Sequence, residues 1–144
     1  MALQVTVTNA TNLPNIEKFG KIDPQATIVF QGSKKRTEVI KEELNPVWNQ
    51  KFEWDLGGKP LESHDEIEVY VKDWERVGRN RLLGTARVPL KDLMKSKSHA
   101  THCNVNLVDG SKRATQAYIT LHLKYEPPKK AGSGDSGADE GEIY

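Results

Sequence analysis

The chain has 144 residues, enough for one domain with a substantial core and some spare length. Its 21 Lys and Arg stand against 20 Asp and Glu, which excludes the strongly basic balance of a nucleic-acid binder. One cysteine, Cys103, excludes an internal disulfide, and no apolar run approaches the ~18 residues that a membrane-spanning helix needs. The opening stretch alternates apolar and polar residues and lacks the basic flank and apolar run of a signal peptide.

Leu3, Val5 and Val7 alternate with polar residues, which predicts a half-buried strand. Residues 14–24 are rich in Pro, Gly and Asn and read as a long loop. Further strands are expected over 25–31, 35–40 (with a basic start at Lys34, Lys35 and Arg36) and 48–56. The cleanest pattern is 66–73, with Ile67, Val69 and Val71 facing inward. Strands at 82–88, 101–107 and 114–125 complete the set, and 89–95 predicts about two helical turns with Pro89 first. Eight strands separated by turn signals predict an all-β, eight-stranded antiparallel β-sandwich of two sheets, spanning 1–126. The glycine, serine and acid content of 127–144 predicts a disordered linker.

The strand over 66–73 stops at Asp73 and Glu75, and a loop with Gly78 and Asn80 follows. Acids two residues apart on a loop can aim oxygens at one point, and they repel unless a cation lies between them. Glu17 and Asp23 lie in the long first loop, and Pro24 biases Asp23 toward extended backbone. In an antiparallel sandwich these two loops can meet at one end. Glu17, Asp23, Asp73, Glu75 and the Asn80 amide then form an oxygen-only set that suits Ca²⁺ and does not suit zinc. Each acid taken singly also reads as a solvated loop residue.

Asn12-Leu13-Pro14, Asp23-Pro24, Leu44-Asn45-Pro46-Val47-Trp48-Asn49, Val71-Lys72-Asp73-x-Glu75 and Leu82-Leu83-Gly84 follow one another along the chain. In that order they resemble a C2 domain, and the match covers 1–126. Gly32-Ser33-Lys34-Lys35-Arg36-Thr37, Phe52-Glu53-Trp54-Asp55-Leu56 and Gly78-Arg79-Asn80-Arg81-Leu82 resemble the amino-terminal C2 domain of ferlins, in the dysferlin and myoferlin branch. The resemblance implies type II connectivity, a calcium site on Asp23, Asp73 and Glu75 with Glu17 beside it, and a part in vesicle fusion or membrane repair within a larger tail-anchored protein. It departs from the family in its two glutamates and in Arg81, which stands where a last acid is usual. The expectation is Ca²⁺ binding that is weak or low in stoichiometry, in the micromolar-to-millimolar part of the ~10⁻⁷ to ~10⁻³ M range.

A bound divalent ion would reverse the sign of the loop end and accept a lipid phosphate oxygen, with Phe19, Ile22 and Val77 dipping into the headgroups. Phe19 and Ile22 can equally fold back over the loop. Lys34, Lys35, Arg36 and Lys41 form a second candidate surface, in a region the family uses for phosphoinositide headgroups; lysines guarding an edge strand are the alternative. His99, His102 and Cys103 lack the fourth ligand of a metal site, and no catalytic constellation is visible, so no enzyme is expected. The leading expectation is a monomeric, Ca²⁺-influenced module on the cytoplasmic face of anionic membranes containing phosphatidylserine or phosphoinositides. The alternative is a Ca²⁺-independent adaptor for proteins or phosphoinositides.

Overall fold

A computed structural model describes residues 1–128; the linker expected over 127–144 lies outside the described residues beyond Pro128. Eight antiparallel strands follow the predicted order: β1 (Ala2–Thr11), β2 (Pro24–Phe30), β3 (Ser33–Arg36), β4 (Val47–Asp55), β5 (Glu66–Asp73), β6 (Arg81–Pro89), β7 (Ala100–Val108) and β8 (Ala114–Glu126). Their order across the sheet is β3-β2-β5-β6-β7-β8-β1-β4. Only Thr85 and Val108 pair between β6 and β7, so the sheet folds there into two four-stranded layers, giving a sandwich. The first strand lies beside the last, as type II connectivity requires.

Alternation along the strands fills the space between the layers. Leu3, Val5 and Val7 from β1 and Leu121 and Ile119 from β8 meet Ile28 from β2 and Ile67, Val69 and Val71 from β5, all of them fully buried. Each such side chain contributes roughly 1.5–3 kcal/mol by leaving water. Gly84 sets the seam: a Cβ there would come within 2.8 Å of the Leu107 Cβ, so only glycine lets β6 approach β7 this closely.

Two expected elements differ. The third strand ends at Arg36 rather than residue 40, because the buried Thr37 hydroxyl accepts the Ala26 N–H at 3.0 Å in place of a ladder carbonyl. The helix is shorter than expected, α1 (Lys91–Lys95), because Pro89 pairs with Glu66 as the last residue of β6 and does not open the helix.

Pairing also fixes one rim of the sandwich. Pro24 lies opposite Asp73, and Asp73 opposite Arg81, so the ends of β2, β5 and β6 form one row. The β1–β2 and β5–β6 loops rise from that row. A third loop, between β3 and β4, braces them: Asn45 Oδ1 accepts the Asn12 N–H at 2.8 Å, and Leu13 N–H donates to the Leu44 carbonyl at 3.1 Å. The Asn-Pro-Val-Trp stretch is thus a support for the first loop.

Candidate cation and membrane-contact site

Asp73 is the anchor of the loop end. Its side chain is 1% exposed, and its Oδ1 accepts the Asp23 N–H at 2.8 Å, tying the exit of the first loop to the end of β5. The Trp74 N–H returns the tie to the Asp23 carbonyl at 2.9 Å. Asp73 Oδ2 faces Glu17 and Glu75, and one oxygen from each of the three lies within 4.8 Å of the others. Two loops and a strand end therefore do converge their acids.

A cation is already among them. Arg81 Nη2 contacts Glu17 Oε2, Asp73 Oδ2 at 2.6 Å and Glu75 Oε2 at 3.5 Å. Burial alone would raise the Asp73 carboxyl, but the Asp23 N–H, the neighbouring Glu17 carboxyl and Arg81 together hold it below its ordinary 3.8. Glu17 moves the other way. The adjacent Asp73 carboxyl, and then burial, raise it above its ordinary 4.5, against the pull of Arg81. The Asp73 contact raises the Arg81 guanidinium, so it stays charged.

The remaining expected ligands each give one oxygen to loop backbone. Asp23 Oδ1 accepts the Glu42 N–H at 2.8 Å, bracing the loop between β3 and β4. Asn80 Oδ1 accepts the Glu75 N–H at 2.8 Å and closes the β5–β6 loop on itself. As it stands, the donor set fits Ca²⁺ in kind but supplies three of the ~6–8 oxygens the ion takes.

Beside the acids, Phe19 and Val77 are 90% and 86% exposed, and both line a hollow of about 600 Å³ between the loops. Ile22, expected at the same tips, corrects the sequence reading: it is fully buried in the core cluster and cannot reach a bilayer. Trp74 is half-buried in the hollow wall. Lys41, expected with the basic strand, instead lines this hollow with Lys21.

On the outer face of β3-β2-β5, Lys34 and Arg36 flank a separate basin of about 460 Å³. Lys72 and Tyr70 of β5 complete it across the register Thr27–Tyr70 and Gln25–Lys72. Sequence reading missed Lys72, although outward alternation with Tyr70 and Glu68 on β5 was the signal for it. Lys35 points away from the basin: it is half-buried, with Nζ 5.5 Å from the centre of the Trp54 ring, so it belongs to the packing. No carboxylate among the described residues lies within ion-pair distance of Lys34, Arg36 or Lys72; the neighbouring Glu68 pairs with Arg87 at 3.6 Å.

A model of the C2 domain family matches residues 1–105. Myoferlin from Mus musculus is 41% identical over 134 residues, which is 92% of this chain and 6% of that protein. A calcium-dependent lipid-binding protein from Arabidopsis thaliana is 45% identical across 98% of this chain and 28% of that protein. The chain thus spans a small part of the relatives it matches. In fold, the C2A domain of a plant extended synaptotagmin 1 superposes with a TM-score of 0.78 at 24% identity, covering 90% of this chain and 96% of that one.

Proposed function

The chain belongs to the C2 domain family, in a ferlin-like form, and on that premise we propose that it docks on anionic phospholipid membranes by two separate surfaces. The observation that carries this reading is the pairing of Phe19 and Val77, 90% and 86% exposed on one rim, with a basin on the flanking face whose Lys34, Arg36 and Lys72 pair with no carboxylate among the described residues.

Lys34, Arg36 and Lys72 supply the electrostatic part. Each basic residue near an anionic leaflet contributes ~1 kcal/mol, so three give roughly 3 kcal/mol at low salt. Asn80 offers an amide donor on the same basin, which suits a headgroup phosphate such as that of a phosphoinositide, while the Tyr70 hydroxyl is already donated to Glu68 Oε1 at 3.0 Å. Phe19 and Val77 supply the apolar part, with Lys21 and Lys41 beside them at headgroup level. Glu17, Asp73 and Glu75 would hold Ca²⁺, which when bound supplies positive charge facing lipid phosphate. With three donors and a guanidinium among them, that binding is weak and Ca²⁺ modulates the docking. Within a longer parent, the domain would act at the cytoplasmic face of a plasma or vesicle membrane during fusion or repair. We assign it no catalysis and no nucleic-acid partner, and a monomeric state as an isolated domain.

A second reading is a Ca²⁺-independent adaptor for proteins or phosphoinositides, favoured by Arg81 lying among the acids. Co-sedimentation with phosphatidylserine vesicles, in Ca²⁺ and in chelator, separates the two. More protein pelleted in millimolar Ca²⁺ on the order of the weak end of the range supports the first reading. Equal pelleting supports the second, and no pelleting in either removes the membrane assignment.

A further inference from the structure

One nitrogen gathers the loop end together. A guanidinium usually recognises carboxylates through two nitrogens at once, as a planar fork. Here Arg81 directs Nη2 alone at Glu17, Asp73 and Glu75, which come from the first loop, the end of β5 and the β5–β6 loop. The arrangement is that of oxygens around an ion. An NH₂ group carries two hydrogens, so three acceptors cannot all be hydrogen-bonded, and Glu75 at 3.5 Å is held mainly by charge. The Nε of the same side chain is buried without a partner. Charge, rather than fork geometry, keeps the guanidinium where it is.

The three carboxylates require some cation. Asp73 is fully buried and committed to the Asp23 N–H, so it cannot turn away from its neighbours. Without a positive charge between them, Glu17 and Glu75 would swing apart and take their loops with them. The register that sets Arg81 opposite Asp73 places that charge within the chain itself.

We infer that Arg81 is the resident cation of this domain: it holds the two loops together without metal, and a divalent ion reaches Glu17, Asp73 and Glu75 only by displacing it. The inference deepens the membrane reading, and rests on it for the identity of the competing ion. It makes Ca²⁺ a competitor at a site already filled, where a metal-free C2 site would be open. Removing the guanidinium changes the local charge from −2 to −3 and frees three oxygens, so metal affinity should rise.

The test needs no lipid. Wild type, Arg81→Gln and Arg81→Lys are titrated with CaCl₂ by calorimetry and melted in chelator and in Ca²⁺. Arg81→Gln is expected to bind Ca²⁺ at least tenfold tighter, to melt lower in chelator, and to regain the loss in Ca²⁺. Arg81→Lys, a point charge that cannot span three carboxylates equally, should fall between. In wild type, the Arg81 guanidinium signals in ¹⁵N NMR should lose their protection as Ca²⁺ saturates. Unchanged Ca²⁺ affinity in Arg81→Gln overturns the inference, as does a glutamine variant that stays unfolded when Ca²⁺ is added. Failure of wild type to bind vesicles would remove the membrane reading while leaving these titrations decisive for Arg81.

Discussion

The rim and the basic face handle charge in opposite ways. On the rim, opposite charges are folded together: Arg81 contacts three carboxylates, and Asp73 beneath it is buried. On the β3-β2-β5 face, Lys34, Arg36 and Lys72 stand exposed around an open basin that Glu68 also lines, with no carboxylate among the described residues paired to them. Three carboxylates around one guanidinium leave the rim cluster net negative, which repels an anionic surface, whereas an unpaired cation keeps its full long-range field. On the proposed membrane reading, electrostatic attraction to an anionic surface belongs to the face, and the rim contributes apolar contact and loop rigidity.

Substitutions can break that division. The largest effect is expected at Ile22, which belongs to the support of the rim: Ile22→Ala should cost about 3–4 kcal/mol in urea denaturation, as for other large core truncations. Wild-type stability with reduced vesicle binding would return Ile22 to the membrane surface. Asp73→Asn removes the buried charge on which both loops are tied. Breaking a buried pair costs ~3–5 kcal/mol, discounted here to about 2–3 because Arg81 remains partly exposed.

On the face, Lys34→Gln with Arg36→Gln should weaken binding to phosphatidylserine vesicles by about 2 kcal/mol at low salt and flatten its salt dependence. Melting temperature and Ca²⁺ titration should not change. A double variant that binds as wild type would leave Lys34 and Arg36 as guards of the β3 edge. At the tips, Phe19→Ala should weaken vesicle binding by about 1 kcal/mol, a fraction of the value for full burial of such a ring, and leave stability untouched.

The smallest effect concerns pH. Asp73 has a lowered folded value, so its stabilisation is present above 3.8 and lost as pH falls below it. Glu17 has a raised one, so its contribution is full below 4.5 and lost as pH rises through its folded value. Glu17→Gln, a mimic of the protonated acid, should abolish the decline above 4.5 while leaving the acid-side loss. Urea midpoints across that range report both, and an unchanged decline would detach Glu17 from the network.

Most of the fold could be read from the chain because the strands obey a period of two. The inward and outward residues of β1, β5 and β8 follow directly from alternation, and with them the sandwich. The convergence of Glu17, Asp73 and Glu75 was also visible, since acids cluster where two loops leave adjacent strands. The errors fall where no period operates. Ile22 lies in an irregular loop whose backbone is pinned by the Glu43 N–H bond to the Ile22 carbonyl at 3.0 Å, a long-range contact that no local pattern announces. Asp23 and Asn80 each give Oδ1 to a loop N–H, a use of short polar side chains that no spacing announces. Alternation along β3 places Lys35 on the face opposite Lys34 and Arg36, against Trp54, whereas Lys41 follows no period and the early end of β3 carries it to the rim.

The division of labour is tested most directly by vesicle co-sedimentation at two ionic strengths, with and without Ca²⁺. Wild type should pellet with phosphatidylserine vesicles in chelator at low salt, release as salt rises, and gain only at the high Ca²⁺ expected of a weak site. Binding that is absent in chelator, full at low micromolar Ca²⁺ on the order of a sensor's affinity, and indifferent to salt would contradict it.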